Sequence, residues 1–244
     1  MIIMLILLFL VLLEPVNVID LNKKFYSIEI YKNTVYCAPF IGKSIFMLDD
    51  SQNLKPITFT DDVNYRIYDF FITPFAIFLN NGRSIEKFYL ASGVKENIFS
   101  STDISSFSVT SSEEVIFSER QKHELIFLDF TNNVKFKKVD LNINDLYSIE
   151  GIIYILTKNS LLICDEHGNL IDEKEIPEKF NRIVVDSTSV ILFSPYEKYL
   201  YKLNEDWDKI ELPHDILDIT LNDEIIVILS EDGTTLYIYS KSDF

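Results

Sequence analysis

Glycine, alanine, histidine and cysteine are all scarce in this chain. Its 244 residues contain six Gly, three His and two Cys. There are also only three Ala, at Ala38, Ala76 and Ala91. Few glycines leave little material for phosphate-cradling loops, and three histidines leave little for a His-rich metal site. Scarce alanine removes the strongest helix former. No nucleophile elbow, P-loop, zinc spacing or EF-hand loop is present. Basic residues are in deficit, with 22 Lys and Arg against 38 Asp and Glu and a net charge of −16. Affinity for nucleic acid comes largely from phosphate neutralisation by Lys and Arg, so neither DNA nor RNA is an expected partner, and an anionic membrane surface is disfavoured for the same reason. The charge suits solubility, or a basic partner or cation.

What is abundant is β-forming: 34 Ile, 19 Phe and 13 Tyr. Such residues pack well on pleated surfaces. At 48% hydrophobic and 25% charged, the balance is that of a globular chain long enough to bury a sizeable core.

The chain opens with an apolar run, Ile2 to Leu13, ended by Glu14-Pro15. Twelve residues are too few for a spanning helix but suit the apolar region of a secretory signal. No Lys or Arg precedes the run and no small-x-small cleavage site follows it. The expectation is export, with residues 1–15 a signal peptide or N-terminal anchor and any cleavage at or before Pro15. The compartment would be periplasmic or extracellular, or the membrane surface if the segment is retained.

A short unit recurs: large apolar, Ser or Asp, apolar. It reads Tyr26-Ser27-Ile28, Tyr68-Asp69-Phe70, Phe107-Ser108-Val109, Tyr147-Ser148-Ile149 and Leu217-Asp218-Ile219, with Ile183-Val184-Val185 filling the gap. The mean spacing of about 38 residues is close to that of four-stranded propeller blades. Three further columns run in step, two dense and apolar, then one amphipathic, as expected of an outer edge strand. Turns between columns carry Asn, Asp, Ser and Gly. The sixth unit has only three strands, while a spare strand-like stretch, Val16–Leu21, precedes the first. The N-terminal strand is therefore expected to complete the last blade and close the ring. An outer-membrane barrel is the rival architecture, but its strands would alternate polar and apolar over about ten residues. Cys37 and Cys164 fall in blades one and four, too far apart to bridge, so no disulfide is expected.

The repeat, together with LLICDEHGNLIDEKEI in unit four, resembles six-bladed β-propellers of the NHL-like and TolB-like kind across residues 16–244. Asp49, Asp129 and Asn204 stand at the equivalent turn in other units without its glycine. Trp207-Asp208 occurs once, and is placed in a turn, which does not fit a WD40 pattern. The resemblance implies an all-β, single propeller domain.

Two polar sets are candidate ligand contacts. The column Ser27, Asp69, Ser108, Ser148 and Asp218 lies on the innermost strands, where small side chains also fit for steric reasons. Asp61, Asp62, Asp103, Asp145 and Asp215 are assigned to the turns entering those strands, where Asp is common in any case. Arg182 is the positive counterpart in the same turns. The selected ligand-binding candidates are Asp62, Asp69, Asp145, Arg182 and Asp218, with no catalytic and no metal-ligating residue assigned. His123, His167 and His214 fall in three different turns and are not expected to share a metal. The expected function is that of an exported, monomeric, non-enzymatic propeller without cofactor, binding a protein or small ligand through one face or the channel mouth. The resemblance also implies an alternative, because some six-bladed relatives are calcium-dependent lactonases; Asp69, Asn64, Asn144 and Asp218 would be the ligands.

Overall fold

The structure, a computed structural model, describes residues 13–244. Most of the apolar opening run lies outside the described residues. The strands are β1 (Asn17–Asp20), β2 (Ser27–Tyr31), β3 (Thr34–Ala38), β4 (Ser44–Leu48), β5 (Leu54–Thr58), β6 (Asp69–Ile72), β7 (Ala76–Asn80), β8 (Ser84–Tyr89), β9 (Lys95–Ser100), β10 (Ile104–Val109), β11 (Val115–Glu119) and β12 (Glu124–Leu128). They continue with β13 (Val134–Lys138), β14 (Ile143–Ile149), β15 (Ile152–Thr157), β16 (Ser160–Asp165), β17 (Leu170–Glu175), β18 (Arg182–Val185), β19 (Val190–Phe193), β20 (Tyr199–Leu203), β21 (Trp207–Glu211), β22 (Ile216–Leu221), β23 (Ile225–Ser230) and β24 (Thr235–Ser240).

These form six separate four-stranded antiparallel sheets, the blades of a six-bladed β-propeller. Five blades use consecutive strands, from β2–β5 through β18–β21. The sixth has the order β1-β24-β23-β22. A barrel would instead be one closed sheet, so that architecture is excluded.

Burial explains the columns. β7 and β11 are buried at every position, since their two faces pack against neighbouring blades. The outer strands β9, β13 and β17 are mostly exposed. Apolar clusters bridge adjacent blades: Phe71 and Phe78 join Phe107 and Phe117, and Phe180 with Ile183 joins Leu156 and Leu161. Cys37 and Cys164 are buried free thiols. Trp207 begins β21 rather than lying in a turn; its indole N–H donates to the Glu175 carbonyl of the preceding blade at 2.8 Å.

The resemblance-bearing turn recurs without its glycine. The Oδ1 of Asp49, Asp129 and Asp165 each accepts backbone N–H groups two and four residues on, from Ser51 and Asn53, Thr131 and Asn133, and His167 and Asn169. The left-handed position is filled by Gln52 (φ 61°), Asn132 (φ 65°) and Gly168 (φ 76°). The aspartate's hydrogen bonds hold the turn even where a side chain must adopt positive φ.

Ring closure is antiparallel, with Asn17 opposite Ile238 and Asp20 opposite Thr235. Ile19 and Leu21 are buried against Val227, Leu229 and Leu236. The chain then turns into blade one past Gly233, whose carbonyl accepts the Phe25 N–H at 2.8 Å. A Cβ on Gly233 (φ +74°) would lie 2.1 Å from the Phe25 carbonyl oxygen, so backbone on backbone leaves no room to yield. Removing residues 16–22 should lower the melting temperature by on the order of 10 °C or more. Loss of Ile19 and Leu21 burial alone is worth about 3–6 kcal/mol. Gly233→Ala should shift it in the same direction. Thermal unfolding that matches the parent in both would contradict closure at this seam.

Candidate functional site

The six innermost strands each place one residue at the same level of the central channel. Cross-strand pairing fixes the level: Ser27 faces Ala38, Asp69 faces Asn80, Ser106 faces Ser118, Asp145 faces Leu156, Arg182 faces Phe193 and Asp218 faces Leu229. Inter-blade hydrogen bonds confirm the alignment. Asp218 Oδ2 accepts the N–H of Ile28, one past Ser27, at 2.9 Å. Asp145 Oδ2 accepts that of Ile183, one past Arg182, at 3.0 Å.

This corrects the polar column. Ser108 belongs one level deeper than Ser106, and its hydroxyl accepts the Ser148 N–H at 2.8 Å. Ser148 is three residues past the ring position and, by strand alternation, lies on the other face. In blade five the ring residue is Arg182, not Val184. Asp145 is within β14, not in the turn before it. In blades three and four the misalignment coincides with a register shift just before the ring residue, between Ile104 and Ser106 and between Ile143 and Asp145; blade six carries one between Ile216 and Asp218 without displacing Asp218, and blade five pairs in regular register. A bulge re-aims the following side chain and breaks the period-two count.

Arg182 lies among three carboxylates. Its Nη2 donates to Asp218 Oδ1 at 3.3 Å and is 3.8 Å from Asp69 Oδ2, while Nε is 3.3 Å from Asp145 Oδ2 without hydrogen-bond alignment. Asp69 Oδ1 also accepts the Phe70 N–H at 2.9 Å. One level down, Glu29 and Tyr147 occupy the strand positions two residues past Ser27 and Asp145. Of the selected candidates, Asp69, Asp145, Arg182 and Asp218 therefore converge. Asp62 does not; it is in an exposed turn, where its Oδ1 accepts the Asn64 N–H.

One guanidinium does not neutralise this many acids. Burial pushes the Asp69 carboxyl up to about 7, against the pull of Arg182 and with repulsion from Asp218 and Asp145 adding to it. Burial likewise raises Asp145 to about 6, opposed by Arg182 and the Ile183 N–H. Asp218 is raised by burial, and Glu29 well above its ordinary range by burial and by Asp69 and Asp218. Arg182 is held more firmly protonated, because its three aspartates outweigh the cost of its own burial. The arrangement stores exchangeable protons near neutral pH around a fixed cation.

On the face where Tyr26, Tyr68 and Leu217 immediately precede the ring residues Ser27, Asp69 and Asp218 lies a recess of about 520 Å³, lined by Tyr26, Phe40, Tyr68, Tyr196 and Leu217 with one basic and one acidic residue, Lys24 and Glu231. Tyr26 packs on Phe40 at 5.1 Å, and Phe40 on Tyr68 at 5.2 Å edge-on. Tyr26 is close enough to the ring to feel Arg182 and Asp218. Tyr68 packs against Gly82, where a Cβ would sit 2.7 Å from its ring. These aromatics come from turns of blades one, two and five; Tyr26 and Tyr68 are the leading apolar residue of the recurring unit, whereas Phe40 and Tyr196 carry no such mark.

The calcium set does not assemble. Asn144 donates its amide to the Phe180 carbonyl at 2.7 Å, Asn64 sits in the exposed turn with Asp62, and Asp69 and Asp218 face Arg182. Among the described residues no three His, Cys, Asp or Glu are grouped to hold a metal ion. The histidines are also apart from the ring: His214 Nε2 is 2.7 Å from the Tyr239 hydroxyl and its ring stacks on Tyr237.

No protein-family model matches the chain, and no curated protein matches it. Solved structures of similar fold include a streptogramin B lyase, at 12% identity and TM-score 0.66, covering 92% of this chain and 87% of that one. A catalytically inactive histidine-to-alanine variant of virginiamycin B lyase from Staphylococcus aureus, with quinupristin, aligns at 14% identity and TM-score 0.61 over 85% and 77% of the two chains. PorZ, a bacterial surface component of the type-IX secretion system of Porphyromonas gingivalis, aligns at 11% identity and TM-score 0.61 over 91% of this chain and 37% of its own. At these identities the likeness is one of fold.

Between about pH 4, where an unfolded aspartate titrates, and pH 7, the folded ring holds more protons than the unfolded chain. The contribution of Asp69 and Asp145 to stability is therefore largest below that window and declines as pH rises through it. Asp69→Asn removes one such group. Its stability relative to the parent should improve by about 1–3 kcal/mol between pH 5 and pH 8, read by urea denaturation at both values. A difference that does not change with pH would mean Asp69 titrates normally.

Proposed function

We propose that this propeller is a non-enzymatic binding module that takes a cationic group, such as a lysine or arginine side chain of a basic peptide, at the channel mouth. The observation that carries it is the excess of carboxylate over guanidinium in the ring, next to an aromatic recess whose Tyr26 and Tyr68 immediately precede Ser27 and Asp69 and whose one lysine, Lys24, stands with Glu231. Ring faces attract cations through their quadrupole, and Asp69, Asp145 and Asp218 supply compensating charge below. A bound cation favours the ionised carboxylates, so binding releases protons. The chain's net charge of −16 draws basic partners toward the surface.

Exchangeable protons at a cleft also suit catalysis, and the lyase neighbour loses activity when one histidine is replaced. Here the six ring positions are Ser27, Asp69, Ser106, Asp145, Arg182 and Asp218, with no histidine among them. Export, by way of the apolar opening segment, would place the binding face outside the cytoplasm, the setting that the surface location of PorZ illustrates for this fold.

Calorimetric titration with a short lysine-rich peptide should show affinity rising roughly tenfold or more between pH 5.5 and pH 8, since each unit of ionisation linkage is worth about tenfold. Asp69→Asn with Tyr26→Ala should remove most of that gain, while Asp172→Asn on an outer strand should not. A pH profile centred near 4, or equal loss from the outer-strand variant, would indicate diffuse attraction to the acidic surface and contradict the proposal.

A further inference from the structure

Arginine is used sparingly, and three of the four arginines share one region. Only four of the 22 basic residues are Arg: Arg66, Arg83, Arg120 and Arg182. Arg182 is in the channel ring. The other three line a single groove of about 650 Å³ between blades two and three, and no lysine lines it. They arrive from separate segments. Arg66 precedes β6, Arg83 lies in the turn between β7 and β8, and Arg120 in the turn between β11 and β12. All three turns open on the face that carries the aromatic recess, and Tyr68 lines both cavities.

None of these three guanidiniums has a carboxylate within 4.0 Å or a side-chain hydrogen bond among the described residues, although acids are in large excess in the chain. Asp62 and Asp103 line the same groove without pairing with them. Asp62 is tied into its own turn by the Asn64 N–H, and Asp103 contributes its backbone carbonyl to the Arg120 N–H at 3.2 Å. By contrast, every carboxylate of the channel ring faces Arg182. Three guanidiniums that line one groove and are left unpaired in an acidic protein are a donor set without an internal acceptor. The planar fork of arginine matches oxyanions bidentately, which a lysine does not.

We infer that this groove binds a small ligand bearing two or more oxyanion groups, phosphoryl or carboxylate. The volume fits a ligand of small-molecule size. The three guanidiniums would each engage an oxyanion edge, while Asp62 and Asp103 disfavour a ligand that carries its charge diffusely. The site is separate from the acidic channel ring, and its chemistry is of opposite sign.

The test is calorimetry of the protein at pH 7.5 and fixed ionic strength with pyrophosphate, citrate and acetate. Pyrophosphate or citrate should bind at least tenfold more tightly than acetate. Preference for pyrophosphate identifies a phosphoryl ligand, and preference for citrate a polycarboxylate. Combined Arg66→Ala, Arg83→Ala and Arg120→Ala should weaken the preferred ligand at least tenfold. A charge-matched control, Lys158→Ala with Lys179→Ala and Lys198→Ala on the same face, should change it less than twofold. These residues are exposed, and unchanged melting temperatures would confirm that both variants fold. Binding no tighter than acetate, or equal loss in the lysine control, would overturn the inference.

Discussion

Six strands must converge at one axis, and the residues they place there have to satisfy each other. In this propeller the requirement is met by carboxylates with two tasks. Asp145 and Asp218 each accept a backbone N–H from the next blade's first strand and each face Arg182. The same device continues one level down without charge, where Ser108 accepts from Ser148 and Thr220 accepts from Ile30. Blade-to-blade contact is thus hydrogen-bonded at the axis and apolar further out. The Asp218–Ile28 bond spans blades six and one, the seam where the two ends of the chain meet, so the polar ring and the β1–β24 pairing hold the same interface.

That construction leaves an electrostatic residue. Carboxylates recruited to bond backbone groups are buried beside one guanidinium, and their protons are held to higher pH than in water. An axis built for packing becomes a proton-rich neck with more carboxylates than guanidiniums. Its aromatic mouth and the neighbouring arginine groove share one face, separated by Tyr68, so that face presents acidic and basic chemistry side by side while the outer strands carry mixed charge.

Much of this was legible from residues alone. Column spacing gave six units, and the amphipathic fourth column marked the outer strands. The spare segment before the first unit announced closure. Asp69 and Asp218 stood out because a charged residue in an otherwise apolar strand is costly unless paired; Arg182 stood out as the positive residue among acidic turns, although it begins β18 rather than lying in the turn. The level of the ring was not legible in blades three to five. Bulges before Ser106 and Asp145 shift the alternation, and no sequence rule places them. Asp145 looked like a turn residue because aspartate is one of the commonest. The glycine-free turns at Asp49 and Asp129 were legible from the aspartate alone, but not that Gln52 and Asn132 take up the left-handed backbone usually sought at Gly. The aromatic recess and the arginine groove draw on turns distant in the chain, so only the closed ring assembles them.

The central claim is that Asp69 and Asp145 share the neck with Arg182 and hold their protons toward neutrality. Carbon-13 NMR titration of the aspartate carboxyl groups, assigned through Asp69→Asn and Asp145→Asn, measures this directly. Midpoints near 7 for Asp69 and near 6 for Asp145 are the expected result. Midpoints at or below about 4, the value of an unperturbed aspartate, would contradict it.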